Sequence, residues 1–317
     1  MPVPAGKPEV TDCVIVQPIA RCGVELLQDS GLSVFVAPAP ELTVLKPHLL
    51  TARAVITRNS GLSAEAIEAA PNLTIIASHG TGTDRIDKAA AERRGIRVVS
   101  TPGTNAQSVA EHALALMFAC ARRVPAADHA VRAGDWSFRE CSHQREMLGC
   151  RLGLVGYGHV ARKLATLAKG LGMVVTVHSK HASDADLAAD GVLRASNLED
   201  LLATAQVVSL HGLPGRTRVL DEALLSKLRT DAILINTARG VLIDEAALAA
   251  ALRGGRIAAA GLDVFSREPL PGDSPILDCP NVVLTPHIGG SAVEARERTA
   301  LEVARRVVEG LGMASPD

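Results

Sequence analysis

Residues 152–161 read Leu152-Gly-Leu-Val-Gly156-Tyr157-Gly158-His159-Val160-Ala161. The apolar run at the start predicts a buried strand, and the residues that follow predict a helix whose apolar face includes Leu164, Leu167 and Ala168. Glycines between a strand and a helix are typical of a turn that holds a dinucleotide pyrophosphate. The first glycine permits a tight turn, and the second lets backbone amides approach the phosphates at the helix N-terminus. An ordinary glycine turn in a parallel sheet is the alternative interpretation.

The next predicted strand, residues 174–178, is followed by Ser179-Lys180-His181. NAD-specific folds usually place an acidic residue here, where it accepts a hydrogen bond from the ribose 2′-OH. A hydroxyl and an ammonium group suit a 2′-phosphate instead, because a carboxylate would repel it. The sequence therefore favours NADP(H). If Lys180 is only a solvated surface lysine, NAD(H) would bind as well.

Short Val/Ile-rich runs alternate with Ala/Leu-rich helical patterns on both sides of this turn, which predicts parallel sheets covered by helices. Strands are predicted at 13–17, 32–36, 54–57, 73–78, 97–99, 152–155, 174–178, 206–210, 232–236, 259–262 and 282–285. Helices are predicted at 24–28, 64–70, from 87, and at 108–123, 159–169, 245–252 and 291–308. Ser291 and Glu294 fit a capping box for the last helix. Residues 101–105 break the pattern, and the long helix after them is expected to cross between domains.

The composition excludes several classes of protein. A chain of 317 residues suggests about two domains. Its 33 basic and 34 acidic residues balance and only 2% of its residues are aromatic, so no nucleic-acid surface is expected. We find neither a signal-peptide core near the N-terminus nor a run long enough to cross a membrane, and therefore expect a cytoplasmic protein. The six cysteines form no CxxC or Cys/His cluster, so we expect reduced thiols and no metal site.

Three later motifs carry ionisable side chains just after predicted strands, where ligands bind in open α/β sheets. Arg239 lies in the segment 236–240, Glu268 in 263–269 and His287 in 286–290. Taken singly, each has an ordinary explanation as a surface ion pair, a solvated turn residue or a local cap. Their joint occurrence after strands of a nucleotide-binding sheet instead predicts one catalytic cleft.

With these motifs, the sequence resembles the D-isomer-specific 2-hydroxyacid dehydrogenase family. That family includes D-3-phosphoglycerate dehydrogenases, glyoxylate/hydroxypyruvate reductases and formate dehydrogenases. The resemblance covers nearly the whole chain, and its further motifs lie at 80–87, 105–112, 261–265 and 285–290. A glycine turn alone is a weak signal, whereas arginine, glutamate and histidine in these contexts and this order are a strong one.

The resemblance implies an α/β fold of two Rossmann-like, doubly wound parallel-sheet domains with a cleft between them. Residues 1–100 and 290–317 would form a discontinuous substrate domain, and residues 101–289 a dinucleotide-binding domain. Homodimers that pair through their coenzyme domains are expected by analogy. The implied reaction is reversible hydride transfer between a nicotinamide and a small 2-oxo acid. His287 would be the acid/base, Glu268 would orient it, and Arg239 would bind the substrate carboxylate and carbonyl.

The resemblance also suggests binding residues. Backbone N–H groups of Gly80, Thr81 and Gly82 would bind the substrate carboxylate, and Arg58 would approach the substrate tail. A routine tight turn and a solvated charge are the respective alternatives. Asp263 would lie near the nicotinamide carboxamide. The other expected cofactor contacts are Thr104, Gly156, Tyr157, Gly158, His159, Val160, Ser179, Lys180, Leu213, Pro214, Thr217, Thr237, Ala238, Gly289 and Gly290.

Among the activities of this family, an NADP(H)-linked reductase of hydroxypyruvate or glyoxylate is favoured. A short-form D-3-phosphoglycerate dehydrogenase is the alternative, made less favourable because the sequence stops at Asp317 with no room for a regulatory domain. Formate dehydrogenase is disfavoured, since those enzymes typically carry a longer N-terminal extension. From another class, a nucleotide-sensing, corepressor-like binding protein could keep all three ionisable groups. The sequence contains no evident peptide-docking extension, which favours the enzyme.

Overall fold

The computed structural model describes residues 10–141, 143–212 and 219–314. It divides into two compact units, one drawn from Met1–Asn105 and Ser291–Asp317 and the other from Ala106–Gly290. Each unit contains one parallel sheet flanked by helices, so the predicted α/β fold of two doubly wound sheets is confirmed. Within the described part of the chain, no helix is both long and apolar enough to cross a membrane.

The first unit has a five-stranded sheet in the order β2-β1-β3-β4-β5. Its elements up to the second unit are β1 Cys13–Ile15, α1 Arg21–Asp29, β2 Val34–Val36, α2 Leu42–Leu49, β3 Ala54–Thr57, α3 Ala64–Glu68, β4 Ile75–Ser78, α4 Lys88–Arg93 and β5 Arg97–Ser100. The central strands are apolar on both faces, because helices cover both sides of the sheet. The strand order reverses between β1 and β3, which is the usual ligand position in such a sheet.

The second unit has a seven-stranded sheet in the order β12-β11-β10-β9-β6-β7-β8. Its helices are α5 Ala106–Ala121, α6 Val124–Arg132, α7 Phe138–Cys141, α8 His159–Gly170, α9 Asp184–Ala189, α10 Leu198–Thr204, α11 Glu222–Leu225, a 3-10 helix at Gly240–Leu242 and α12 Glu245–Arg253. Its strands are β6 Arg151–Val155, β7 Val174–His178, β8 Leu193–Arg194, β9 Val207–Leu210, β10 Ile233–Asn236, β11 Ala259–Leu262 and β12 Val282–Leu284. Here the order reverses between β6 and β9, so the carboxyl ends of these two strands flank the expected ligand crevice.

Helix α13, Val293–Gly310, returns to the first unit and packs on α1 and β4. Its apolar face buries Ala300, Val303 and Val307 against the sheet. A Cβ on Gly23 of α1 would lie 2.6 Å from the carbonyl oxygen of Ala300, so the two helices approach closely only because residue 23 is glycine. The N-terminal part of the chain thus depends on a helix that follows the second unit in sequence.

The predicted capping box of the last helix is wrong. The N-cap is Ala292, and no side chain of the described residues caps the helix. Since the helix begins at Val293, Ser291 lies one position outside the N-cap, and Glu294 occupies the second helical position instead of the third. The predicted long helix at 108–123 exists as α5, two residues earlier, and lies wholly within the second unit.

Candidate active site

The glycine turn begins at the carboxyl end of β6. Gly156 has φ +95°, and a Cβ on it would lie 2.9 Å from both the nitrogen of Gly212 and the carbonyl carbon of His211. Its N–H donates to the carbonyl of His178 at 2.8 Å. The first glycine of the motif is therefore required by the fold itself, because any side chain would displace the backbone that follows β9.

Gly158 differs from Gly156 in what surrounds it. It is the N-cap of α8; among the residues that the structure describes, no side chain caps this helix and nothing lies within 4 Å of a Cβ placed on Gly158. The first N–H groups of α8, from His159 and Val160 onward, have no acceptor within the helix and lie at the positive end of its dipole. This arrangement suits a phosphate group of a dinucleotide.

Two buried polar atoms near the same sheet edge indicate that a polar ligand binds there. Among the described residues, Thr237 Oγ1 after β10 and His211 Nε2 after β9 are buried without a hydrogen-bond partner. Buried polar groups are normally paired, so these two atoms call for a partner that the described residues do not supply. Together with the uncapped α8, they fit a dinucleotide at the point where the strand order reverses.

Tyr157 anchors the glycine turn through its side chain. Its hydroxyl donates to Asp190 Oδ2 at 2.8 Å, and burial together with Asp190 raises the pKa of Tyr157. Arg162 bonds the same carboxylate oxygen at 2.6 Å and lies over the tyrosine ring at 4.8 Å. The tyrosine hydroxyl is thus already used within the protein, which leaves the backbone of Tyr157 for its predicted cofactor contact.

A basic patch follows β7. Ser179 Oγ accepts hydrogen bonds from the N–H groups of His181 and Ala182, both at 3.3 Å, and Lys180 is exposed. Arg194 of β8 donates to the carbonyl of Ser179 at 3.2 Å and pairs with Asp184. The sequence interpretation missed Arg194 because β8 has only two residues, both exposed, and so leaves no strand pattern.

The loop after β10 places Arg239. The side chain of Asn236 is buried, donates to the carbonyl of Arg239 at 2.8 Å and accepts from the N–H of Ala238 at 3.1 Å. The Arg239 guanidinium is half-buried and donates to the Ala238 carbonyl at 2.8 Å. A Cβ on Gly240 would lie 1.9 Å from the carbonyl carbon of Phe265, so this loop packs directly on the segment that carries Glu268.

Glu268 and His287 are hydrogen-bonded. Glu268 Oε2 lies 2.9 Å from His287 Nδ1, and Glu268 Oε1 accepts from the Phe265 N–H at 3.1 Å. The two side chains are 15% and 33% exposed, so the glutamate lies deeper and the imidazole nearer to solvent. Because a carboxylate can only accept, Nδ1 carries the proton in this pair, and Nε2 is the nitrogen left to act on a ligand.

The backbone of His287 is held in an unusual conformation. Its φ is +55°, a left-handed value that costs a non-glycine residue on the order of 1 kcal/mol. Asp263, just after β11, binds this segment on both sides of the histidine. Asp263 Oδ1 accepts from Thr285 Oγ1 at 2.6 Å and from the Ile288 N–H at 2.8 Å, while Oδ2 accepts from the Gly289 N–H at 2.8 Å.

The Asp263 side chain is a buried anion. Burial raises the pKa of its carboxyl, but hydrogen bonds from His112, Thr285 and two backbone amides outweigh burial and hold the pKa below its usual range. The Gly289 carbonyl accepts from Ser108 Oγ at 2.6 Å, so this glycine is fixed through both of its backbone groups. Asp263 and Gly289 therefore organise the histidine segment, and their contacts with a cofactor stay a prediction.

In the five-stranded unit, the predicted substrate residues follow β3 and β4. Arg58 donates to the carbonyl of Pro18 at 2.8 Å, and burial followed by repulsion from Arg296 lowers the pKa of its guanidinium. Gly80 has φ +134°, and its N–H donates to Thr101 Oγ1 at 2.9 Å. The Gly80 amide is thus engaged by Thr101 in this structure, and contact of the Gly80, Thr81 and Gly82 amides with a substrate stays a prediction.

Thr104 is the one predicted cofactor residue that belongs to the five-stranded unit. Its hydroxyl donates to the carbonyl of Thr101 at 3.0 Å and lies 2.9 Å from Thr299 Oγ1. Ala238 and Gly290 are half-buried after β10 and β12. Three other predicted residues lie outside the described residues: Leu213, Pro214 and Thr217. No group of three metal-binding side chains occurs within 10–141, 143–212 and 219–314.

Comparison with known proteins gives consistent matches. Residues 114–289 match the family model of the D-isomer specific 2-hydroxyacid dehydrogenase, NAD binding domain. A D-3-phosphoglycerate dehydrogenase from Mycobacterium tuberculosis is 40% identical over 271 residues, which are 84% of this chain and 51% of that protein. A hydroxypyruvate reductase from Thermotoga maritima is 38% identical over 264 residues, which are 82% and 84% of the two chains.

Solved structures agree with these matches. The crystal structure of an NADPH-dependent glyoxylate/hydroxypyruvate reductase from Sinorhizobium meliloti aligns with a TM-score of 0.84 at 25% identity, covering 97% of each chain. The present chain spans about half the length of the D-3-phosphoglycerate dehydrogenases from mycobacteria that it matches, as the 51% share of the M. tuberculosis protein shows.

Proposed function

Because the chain belongs to the D-isomer-specific 2-hydroxyacid dehydrogenase family, we propose that it catalyses reversible hydride transfer between a nicotinamide dinucleotide and a small 2-oxo acid. The observation that carries this proposal is the 2.9 Å hydrogen bond between His287 and Glu268. This pair lies in the same unit as the glycine turn before α8, which suits a pyrophosphate because its N-cap residue, Gly158, has no side chain. An oriented acid/base and a nucleotide site in one unit are the two parts that this reaction needs.

The cofactor, when bound, supplies hydride in one direction and takes it up in the other. The residues present fit such a group: Gly158 leaves space at the start of α8, and Thr237 Oγ1 is a buried polar atom without a partner among the described residues. The amides of His159 and Val160 would bind the pyrophosphate, with the tight turn at Gly156 below them.

The remaining chemistry falls to three side chains. As the substrate carbon accepts hydride, negative charge develops on its oxygen, and protonated His287 donates a proton from Nε2 to that oxygen. Glu268 holds Nδ1 and stabilises the positive charge of the ring before the proton leaves. Arg239 binds the substrate carboxylate, for which its planar guanidinium supplies two parallel donors. In the reverse direction, neutral His287 takes the hydroxyl proton.

NADP(H) is the preferred cofactor in this proposal. Lys180 is exposed beside Ser179, and Arg194 donates to the Ser179 carbonyl, so two basic residues lie at the end of β7, the usual position of the adenosine ribose. The nearby carboxylate of Asp184 is paired with Arg194, so it is held by a cation. The relative from Sinorhizobium meliloti is described as NADPH-dependent, which supports the same preference.

Hydroxypyruvate and glyoxylate are the proposed substrates, since the hydroxypyruvate reductase from Thermotoga maritima is matched over 84% of its length. A D-3-phosphoglycerate dehydrogenase is the second candidate, because the relative from Mycobacterium tuberculosis is 40% identical. In the five-stranded unit, Arg58 and the amides of Thr81 and Gly82 are the proposed substrate contacts.

A substrate panel tests the function. The purified protein is mixed with NADPH or NADH and with glyoxylate, hydroxypyruvate or 3-phosphohydroxypyruvate, and the loss of reduced cofactor is followed by absorbance. We expect turnover with NADPH and one of the first two acids, and a loss of about 10²–10⁴ in kcat for His287→Ala with cofactor affinity retained. Tight NADPH binding without turnover of any acid would favour a nucleotide-sensing binding protein instead.

A homodimer in the cytoplasm completes the proposal. Val124, Val131 and Trp136 lie on or just after α6 and are 52–67% exposed, and large exposed apolar side chains in one region indicate a contact surface. We expect light scattering to give the mass of a dimer, and Trp136→Ser to shift it toward a monomer. Cys13, Cys22, Cys120, Cys150 and Cys279 are free thiols, which suits a reducing compartment.

A further inference from the structure

Helix α5 holds the segment that carries His287. Ser108 and His112 are four residues apart and therefore lie on the same face of this helix. Ser108 Oγ donates to the Gly289 carbonyl at 2.6 Å, and His112 Nε2 lies 2.9 Å from Thr285 Oγ1. The two side chains thus bind the residues two positions after and two positions before His287.

The hydrogen positions around His112 follow from the donor count. Thr285 has a single hydroxyl proton, which it donates to Asp263 Oδ1 at 2.6 Å. The Thr285 oxygen must therefore accept from His112, so Nε2 of His112 carries a proton. The same nitrogen lies 3.3 Å from Asp263 Oδ1, which adds attraction to the buried carboxylate. His112 thus acts on Thr285 and Asp263 as a donor.

Helix α5 provides a rigid base for this donor. It packs on β10, β11 and β12, the strands from which Arg239, Asp263 and His287 follow. At Gly261 of β11, a Cβ would lie 2.9 Å from the Cβ of Leu116, so α5 approaches the sheet as closely as a glycine allows. A change at residue 112 therefore acts on the loop it binds, since the helix itself is fixed by its packing.

We propose that His112 is a positioning residue that keeps His287 aligned with Glu268. Its Nε2–H orients Thr285 and Asp263, and these two fix the backbone on both sides of the histidine in its left-handed conformation. Without that donor, the segment would relax and the imidazole would spend less time in hydrogen-bonding position. The kinetic consequence of this inference rests on the proposed function. The effect of His112 on the geometry of His287 does not depend on that function.

Four variants test the inference by kinetics. His112→Phe keeps a planar ring and removes the donor, so we expect kcat to fall tenfold or more with the KM for NADPH unchanged. His112→Gln places an amide N–H near the original Nε2 and is expected to recover most of the loss. Thr285→Val removes the acceptor and should reproduce the loss, which keeps the test decisive if His112→Phe does not fold. Ala115→Gln, at an exposed position of α5, is the matched control.

Nitrogen NMR of labelled histidine gives a readout that needs no turnover. In the wild type and His112→Gln, we expect the side chain of His287 to show a hydrogen-bonded Nδ1–H, and in His112→Phe and Thr285→Val that signal should weaken or average. An unchanged His287 signal with kcat within twofold in His112→Phe would overturn the proposal, as would equal losses in His112→Phe and His112→Gln. If the wild type turned over no 2-oxo acid, the function would fail while the NMR comparison still decided the role of His112.

Discussion

Arg239 offers the first test at the scale of single residues. In Arg239→Lys the charge remains but the planar pair of donors is lost, so the substrate carboxylate is held by a point charge. We expect the KM for the 2-oxo acid to rise about tenfold or more, because a hydrogen bond to a charged group contributes roughly 1.5–3 kcal/mol. Thermal unfolding should not change, since Asn236 binds the loop through backbone groups. Unaltered kinetic constants would contradict this role.

Ser179 tests the cofactor preference. A carboxylate at this position would repel a 2′-phosphate and accept from a 2′-hydroxyl, so we expect Ser179→Asp to move the ratio of kcat/KM for NADPH and NADH toward NADH by tenfold or more. Ser179→Ala removes the hydroxyl without adding charge and serves as the control, with a smaller expected shift. A ratio that stays constant in Ser179→Asp would show that discrimination lies at Lys180 or Arg194 instead.

Short motifs made part of the site predictable from the sequence. Arg239, Glu268 and His287 each follow a strand, and family resemblance supplied the pairing of the last two. The contact of His112 with Thr285 joins residues 173 positions apart, so no local pattern could indicate it. The hydrogen bond from the Gly80 N–H to Thr101 could not be predicted for a similar reason, because it joins the ends of two neighbouring strands, β4 and β5.

At the scale of elements, the two glycines of the turn are expected to have different roles: Gly156 in the stability of the fold and Gly158 in cofactor binding. We expect Gly156→Ala to lower the free energy of unfolding by about 1–3 kcal/mol, because the residue needs a positive φ and its Cβ would strike the backbone after β9. Gly158→Ala should unfold at nearly the wild-type temperature, since its Cβ meets open space, but should bind NADPH more weakly because that space is where phosphate is proposed to bind. Calorimetry and NADPH titration of both variants distinguish the two effects.

A reversal of this pattern, with Gly158→Ala the less stable protein or with unchanged NADPH affinity, would remove the turn from the proposed site.

The strands were easier to predict than the short helices. Buried parallel strands give continuous apolar runs, so β3 and β11 have the predicted bounds. The helices α9 and α10 have six and seven residues and depend on capping by Ser183 and Asn197, which the apolar pattern does not reveal. The strand β8 has two exposed residues and is defined only by pairing with β7.

For the whole molecule, two half-buried histidines, His79 and His211, predict how stability depends on pH. Burial lowers the pKa of His211 to about 4, and burial together with Arg58 lowers the pKa of His79 to about 4, from an ordinary 6.5. The unfolded chain therefore takes up protons at these side chains as the pH falls from about 6.5 to about 4. We expect the free energy of unfolding to be fully retained above this window and to fall steadily within it.

Urea denaturation at several pH values measures this dependence. The double variant His79→Gln/His211→Gln should flatten the decline between about pH 6.5 and 4. His129→Gln, at an exposed position of α6, is the matched control and should decline as the wild type does. A double variant with an equally steep decline would assign the proton uptake to other groups.

The return of α13 to the five-stranded unit has a consequence for biosynthesis. During translation, the strands of this unit leave the ribosome first, but the helix that covers Ile75 and Ala77 emerges only after the entire inserted unit has been made. Until then, only α1 is available to cover this apolar face, so the part that α13 covers is exposed to chaperones or to aggregation. The seven-stranded unit is drawn from one continuous stretch, Ala106–Gly290, so it can fold before the five-stranded unit, whose last helix is synthesised after it.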